Sequence, residues 1–167
     1  MEEVYMKEAL REAKAALQNN DFPVGCIITN SDGIIARGRR QNSSVKNELD
    51  HAEIVALREL NTYHPEKLSE NLVAYSTMEP CLMCFSALIL SNVRTVVYAY
   101  EDVMGGGTNL TLEKLKPLYA AMTIEIIPGI LRSESLQLFQ QFFSEDGSGY
   151  WQDSLLAQYT LAQSAKV

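Results

Sequence analysis

Histidine and cysteine are scarce in this chain, two of one and three of the other in 167 residues. Three cysteines, two of them inside "CLMC", are too few and too close for a disulfide scaffold. In a reducing compartment that spacing signals metal or redox chemistry instead. No apolar run approaches the roughly 20 residues that span a bilayer. The start, "MEEVYMKEALREAKAALQ", is acidic and has neither the basic nor the apolar region of a secretory signal. A cytoplasmic protein with reduced thiols and no membrane contact is expected. Positive charge is also short: 14 bases stand against 21 acids, and no Lys or Arg occurs from Ser133 to Ala165. A net charge of -7 disfavours polyanions, because phosphate contacts need cations. With no repeat, low-complexity segment or linker, residues 1–167 read as one domain with a buried core.

What is present is an alternation of helical and strand patterns. Val4, Leu10, Ala13 and Leu17 recur at helical spacing over residues 2–18. "FPVGCIITN" and "IIARG" flank a turn built on Asp32 and Gly33, which reads as a hairpin. Residues 39–50 are a polar loop, and a helix follows from His51 with Asp50 in the N-cap position. "NLVAYST", "RTVVYAY" and "MTIEIIPG" are further strands. Helices are expected from Pro80–Cys81 onward, in residues 111–120, over 132–143, and at about 150–164, where Trp151, Leu155, Leu156 and Tyr159 share a face. Such alternation predicts a layered α/β domain.

Cys81 and Cys84 lie three residues apart at a helix start, so both sulfurs can reach one point. Unpaired amides at a helix N-terminus favour the thiolate that a metal needs. His51 also opens a helix, and one His with two Cys leaves the fourth zinc position open, as in a catalytic site. Glu53 follows His51 by two residues, about 200° around a regular helix. At a first turn, however, the ligand can come from the loop side and the acid from the helix, and a carboxylate there can carry a proton. The bland alternatives are a structural zinc, or a thioredoxin-like reading of "CLMC". Cys26 reads as a buried apolar residue and His64 as a solvated loop residue, so neither completes a closed site. "MGGG" reads as a loop near the site, since no Lys-Ser/Thr follows to make it a phosphate cradle.

His51-Ala52-Glu53 followed by Pro80-Cys81-Leu82-Met83-Cys84 is the H-x-E…P-C-x-x-C pattern of zinc deaminases of nucleobases. With "FPVGCII", "VVYAYED" and "GGG" in order, the chain resembles the cytidine and deoxycytidylate deaminase superfamily over roughly residues 1–143. Within it, the branch of tRNA adenosine deaminases and bacterial guanine deaminases is the most similar. The resemblance implies a three-layer α/β/α sandwich around a five-stranded mixed sheet, assembled as a homodimer or higher oligomer. It implies one Zn²⁺ per chain on His51, Cys81 and Cys84, with Glu53 as the proton shuttle. It further implies a substrate pocket at Phe22, Pro23, Val24, Ala52 and Pro80.

Substrate choice is less marked. Relatives carry an Asn eleven residues before the ligand His, where this chain has Arg40; Asn42 stands two residues on as a substitute. Arg37, Arg39 and Arg40 could hold a phosphate or an RNA stem, or simply coat a strand end. Glu145, Asp146 and Asp153 are candidates by position for an acid that reads the base. The acidic tail after Phe142-Phe143 favours a small nucleobase or nucleoside-like ring, more purine-like than cytidine, over tRNA. The rival readings are a tRNA adenosine deaminase and, from another class, a catalytically silent zinc-binding subunit.

Overall fold

The structure, a computed structural model, describes residues 1–41, 47–69, 71–144 and 149–164. Five strands form one mixed sheet in the order β2-β1-β3-β4-β5. They are β1 Gly25–Asn30, β2 Gly33–Arg39, β3 Leu72–Met78, β4 Val93–Tyr100 and β5 Glu125–Ile127. β1 runs antiparallel to both β2 and β3, while β3, β4 and β5 are parallel. Among the described residues six α-helices accompany them: α1 Glu2–Gln18, α2 Ala52–Tyr63, α3 Leu82–Leu90, α4 Pro117–Ala120, α5 Arg132–Ser144 and α6 Leu155–Leu161. Among the described residues, no helix is long and apolar enough to cross a membrane.

Successive strand residues point to opposite faces, and both faces are covered. Cys26 and Ile28 face one core with Ala52, Ala56 and Leu60 of α2 and Phe85 and Leu88 of α3. Ile27 between them faces the other, with Met6, Ala9, Leu10 and Ala13 of α1 and Leu138 of α5. This is the three-layer sandwich. Two glycines set the layer spacing. A Cβ on Gly25 would stand 2.2 Å from the Ala9 carbonyl of α1, and one on Gly38 would stand 2.1 Å from the Ala52 carbonyl of α2. Both helices lie directly on the sheet backbone.

Four local expectations are corrected. The N-cap of α2 is His51, with φ -65° and ψ 156°, and not Asp50. Asp50 instead pairs with Arg58, one face of the helix away. The helix expected over 111–120 splits into a 3₁₀ turn, Leu112–Lys114, and α4, because Lys116 before Pro117 is held extended. β5 is shorter than "MTIEIIPG", pairing only along Thr95–Val97 of β4 at the sheet edge. The last helix begins at Leu155, not near residue 150: Ser154 caps it by accepting from the Ala157 amide at 3.1 Å, and Trp151 has a left-handed φ of 58°.

Parallel β3 and β4 end together, Met78 opposite Tyr100. Antiparallel β1 starts at that same end, since Cys26 faces Ser76, and Gly25 pairs with Arg39 at the end of β2. Phe22–Val24, Arg40, His51 and the segment after Met78 therefore gather at one end of the sheet, where open α/β folds hold ligands. Gly38→Ala should displace α2 and lower stability by about 1–3 kcal/mol in urea unfolding, the usual range for overpacking. Wild-type stability of that variant would contradict the close approach described here.

Candidate active site

His51 and Cys81 occupy equivalent places, each the extended N-cap residue of a helix, α2 and α3. Cys84 follows one turn into α3 and is buried. Their ligating atoms all lie within 4.8 Å of one another, with Cys81 Sγ 3.6 Å from His51 Nδ1. A tetrahedral zinc with bonds of about 2.0–2.3 Å separates its ligand atoms by about 3.5–3.8 Å. The donor set thus fits zinc in kind and nearly in spacing. Among the described residues it is the group of His, Cys and acidic side chains that meets this requirement.

Glu53 sits in the first turn of α2 and is 3% exposed. Because His51 is outside the helix proper, the two side chains escape the angular separation of mid-helix neighbours. Ser76 Oγ of β3 donates to Glu53 Oε1 at 2.9 Å, which fixes the carboxyl group. Burial raises the Glu53 pKa, against the opposing pull of backbone hydrogen bonding and the His51 charge. A raised carboxyl is suited to giving and taking protons near neutrality. The two thiols diverge. A hydrogen bond from Cys84, helped by His51, lowers Cys81 to about 4, while Cys84, as donor and buried near Glu53, is pushed far up. The hydrogen bond with Cys81 raises His51.

Beside these groups opens a cavity of about 500 Å³. Of the residues the resemblance named for a substrate pocket, Phe22, Val24 and Ala52 line it, and Pro23 and Pro80 are not among its lining residues. Asn42, Glu145 and Asp146 fall outside the described residues, and exposed Asp153 does not line the cavity. The sequence reading overlooked Glu48, Met78, Glu79, Asp102, Tyr150 and Trp151, all part of the wall. Tyr150 and Trp151 belong to the C-terminal segment, which therefore contributes to the wall of this chain's own pocket. Tyr150 packs edge-on against Phe22 at 5.4 Å. Phe22 also meets Phe139, Phe142 and Phe143.

Glu79 is a hub that its position before Pro80 scarcely advertised. It accepts from the Asp102 amide at 3.2 Å and from the Thr108 amide and hydroxyl at 3.3 and 2.5 Å. The glycines of "MGGG" serve close approach. A Cβ on Gly107 would stand 2.6 Å from the Leu82 backbone, and the Gly107 amide donates to the Pro80 carbonyl at 2.9 Å. The loop is thus built against the cysteine segment. The arginines are engaged: Arg37 with Glu8 at 3.0 Å, Arg39 with Glu12 at 3.0 Å and Arg40 with Glu48 at 3.1 Å. Arg37 and Arg39 staple β2 to α1, the structural alternative for that cluster.

Residues 1–100 match the model of the cytidine and deoxycytidylate deaminase zinc-binding region, and the chain belongs to that family. It is a hydrolase of the deaminase type. The tRNA-specific adenosine deaminase of Bacillus subtilis is 31% identical over 144 residues, 86% of this chain and 89% of the relative. The Xenopus laevis tRNA-specific adenosine deaminase 2 is 35% identical over 114 residues, 65% of each chain. Among solved structures, a guanine deaminase from Nitrosomonas europaea superposes with a TM-score of 0.70 at 22% identity, covering 84% of this chain and 83% of that one; this is a likeness of fold.

In metal-free protein at pH 6, Cys81 should be the thiolate, since its pKa lies below that pH, while Cys26 and Cys84 stay protonated and buried. Brief iodoacetamide treatment followed by peptide mass spectrometry should find Cys81 alkylated first. Equal labelling of all three cysteines would contradict this arrangement.

Proposed function

We propose that this chain is a zinc-dependent deaminase that hydrolyses the exocyclic amine of a small, purine-like nucleobase or nucleoside ring and releases ammonia. The observation that carries it is a buried carboxyl, Glu53, that lines a ring-sized cavity together with His51 and Cys81 of the His-Cys-Cys trio. His51, Cys81 and Cys84 would hold one zinc per chain. Zinc so held supplies Lewis acidity to the attacking water. Glu53 takes one proton from that water and delivers it to the ring nitrogen beside the amine; it then takes the proton of the newly added hydroxyl and passes it to the departing amine, leaving the oxo ring. Water and the aminated ring are consumed; the oxo ring and ammonia are formed. Ser76 holds Glu53 in position, and Phe22, Val24 and Tyr150 give a flat ring an apolar surface to pack on.

The pocket wall favours a small ring over a polynucleotide. Tyr150 and Trp151 stand in that wall, its arginine, Arg40, is paired with Glu48, and Arg37 and Arg39 are engaged with α1 instead. A second reading, adenosine deamination in a tRNA anticodon, is supported by the 31% identity to the Bacillus subtilis relative. The sequence comparisons weigh toward that second reading; the acidic charge of the chain and the mostly apolar pocket wall weigh toward the first.

Ammonia release by zinc-loaded protein separates them, with guanine, adenine, cytosine, their nucleosides and an anticodon stem-loop RNA as substrates. Turnover of a free base or nucleoside is expected; turnover of the RNA alone would establish the second reading. Glu53→Ala should retain zinc by metal analysis and lose at least about 100-fold in rate, within the usual span for acid–base catalysis. Cys84→Ser should lose the metal and destabilise the fold. A Glu53→Ala protein with wild-type turnover would remove the role assigned to that carboxyl.

A further inference from the structure

Arg40 is the cation that the cavity wall buries. Its residue is 3% exposed, at the end of β2, and its backbone amide donates to the Val24 carbonyl at 3.1 Å. The side chain lines the cavity together with the apolar surfaces of Phe22, Val24, Met78 and Leu156. Two hydrogen bonds go to Glu48, one to its backbone carbonyl at 3.3 Å and one to its carboxylate at 3.1 Å. That carboxylate is itself 73% exposed, so the ion pair lies half in water. The guanidinium carbon stands 6.0 Å from the Tyr150 ring centroid.

A buried guanidinium is expensive to keep and is always charged. It donates only, through five N–H groups in a fixed fork. The other charged side chains of the wall, Glu48, Glu53, Glu79 and Asp102, are acids. A ligand in this cavity therefore meets a mostly apolar wall, a few carboxylates and one strong cationic donor with a fixed fork. His51 also lines the cavity, but it belongs to the His-Cys-Cys trio. An aminated ring without an exocyclic oxygen offers Arg40 only its ring nitrogens, one acceptor fewer for the guanidinium fork. A ring that also carries a carbonyl can present its amine edge to Glu53 and its oxygen to Arg40.

We propose that Arg40 is a specificity-determining residue that selects oxo-amino rings, hydrogen-bonding a ring carbonyl, over amino rings that lack the oxygen. This rests on the deaminase reading and adds the substrate class. A cation held by the wall for structure alone would anchor the strand end equally well whichever ring is bound. Discrimination between rings is what separates the two roles.

The test uses two matched pairs, guanine against 2-aminopurine and cytosine against 4-aminopyrimidine, each differing only by the oxo group and its tautomeric proton. Wild-type zinc-loaded protein should favour the oxo member of at least one pair by about 100-fold in kcat/KM, the scale of a hydrogen bond to a charged donor. In Arg40→Met that ratio should collapse to within about 10-fold, chiefly through KM. The ratio is taken within one preparation and is independent of the folded fraction. Should Arg40→Met fail to fold, Arg40→Lys keeps the charge without the fork and should give an intermediate ratio. No preference in the wild type, or a preference unchanged in the folded variants, overturns the inference and leaves the deaminase reading standing. Turnover confined to adenine-type rings, free or in RNA, does the same. Absence of ammonia from every ring and from the RNA overturns the deaminase reading, and this inference with it.

Discussion

Where α2 lies on β2 there is no room for a side chain, and the candidate site depends on that contact. The Gly38 α-carbon faces the Ala52 carbonyl and the Ala56 amide so closely that one methyl group would push the helix off the sheet. Ala52 separates His51 from Glu53, so the contact locates both at once. Ser76 on β3 then reaches Glu53, and the short helix α3 brings Cys81 and Cys84 to the same point. Interiors this dense transmit a shift instead of absorbing it. A displacement of α2 would move a ligand and the acid together.

The electrostatics follow from burial. Glu53 is held from water and shifts upward, as a carboxyl does when its charged form is poorly solvated. The two cysteines share one proton unequally, leaving negative charge on Cys81, the thiol at the helix cap and nearer His51. Helix N-termini supply the unpaired amides that favour such charge. Placing both ligand-bearing caps at one end of the sheet collects these partial charges at one wall of the cavity.

Closure of that cavity is decided far from it. Tyr100 at the end of β4 meets the Thr160 hydroxyl of α6 at 2.9 Å, and Gln163 donates to the Tyr100 oxygen at 3.0 Å. Tyr159 and Arg132 both donate to Glu101, at 2.7 Å in each case. Gln140 of α5 donates to the Gln163 carbonyl at 2.7 Å. These polar ties fasten α6 to the sheet, and the turn before it carries Tyr150 and Trp151 over the pocket. Trp151 takes a left-handed backbone, a conformation costly for a bulky residue and sustained by its surroundings.

The meeting of His51, Cys81 and Cys84, the order of strands and helices and the layered architecture were legible in the sequence. Each is written in local chemistry: hydrophobic period, helix-start residues, and cysteine spacing on a helix. Element ends were less legible where a long-range contact competed with a local signal, as when Arg58 drew Asp50 away from the cap and His51 took its place. Glu79, Tyr150 and the burial of Arg40 were decided by tertiary structure alone. Their partners lie 23 to 29 residues away for Glu79, while the Tyr150 ring reaches Phe22 from the far end of the chain. Sequence spacing specifies what one helix or strand presents; which presented groups share a wall depends on how the sheet is ordered and how closely its layers pack.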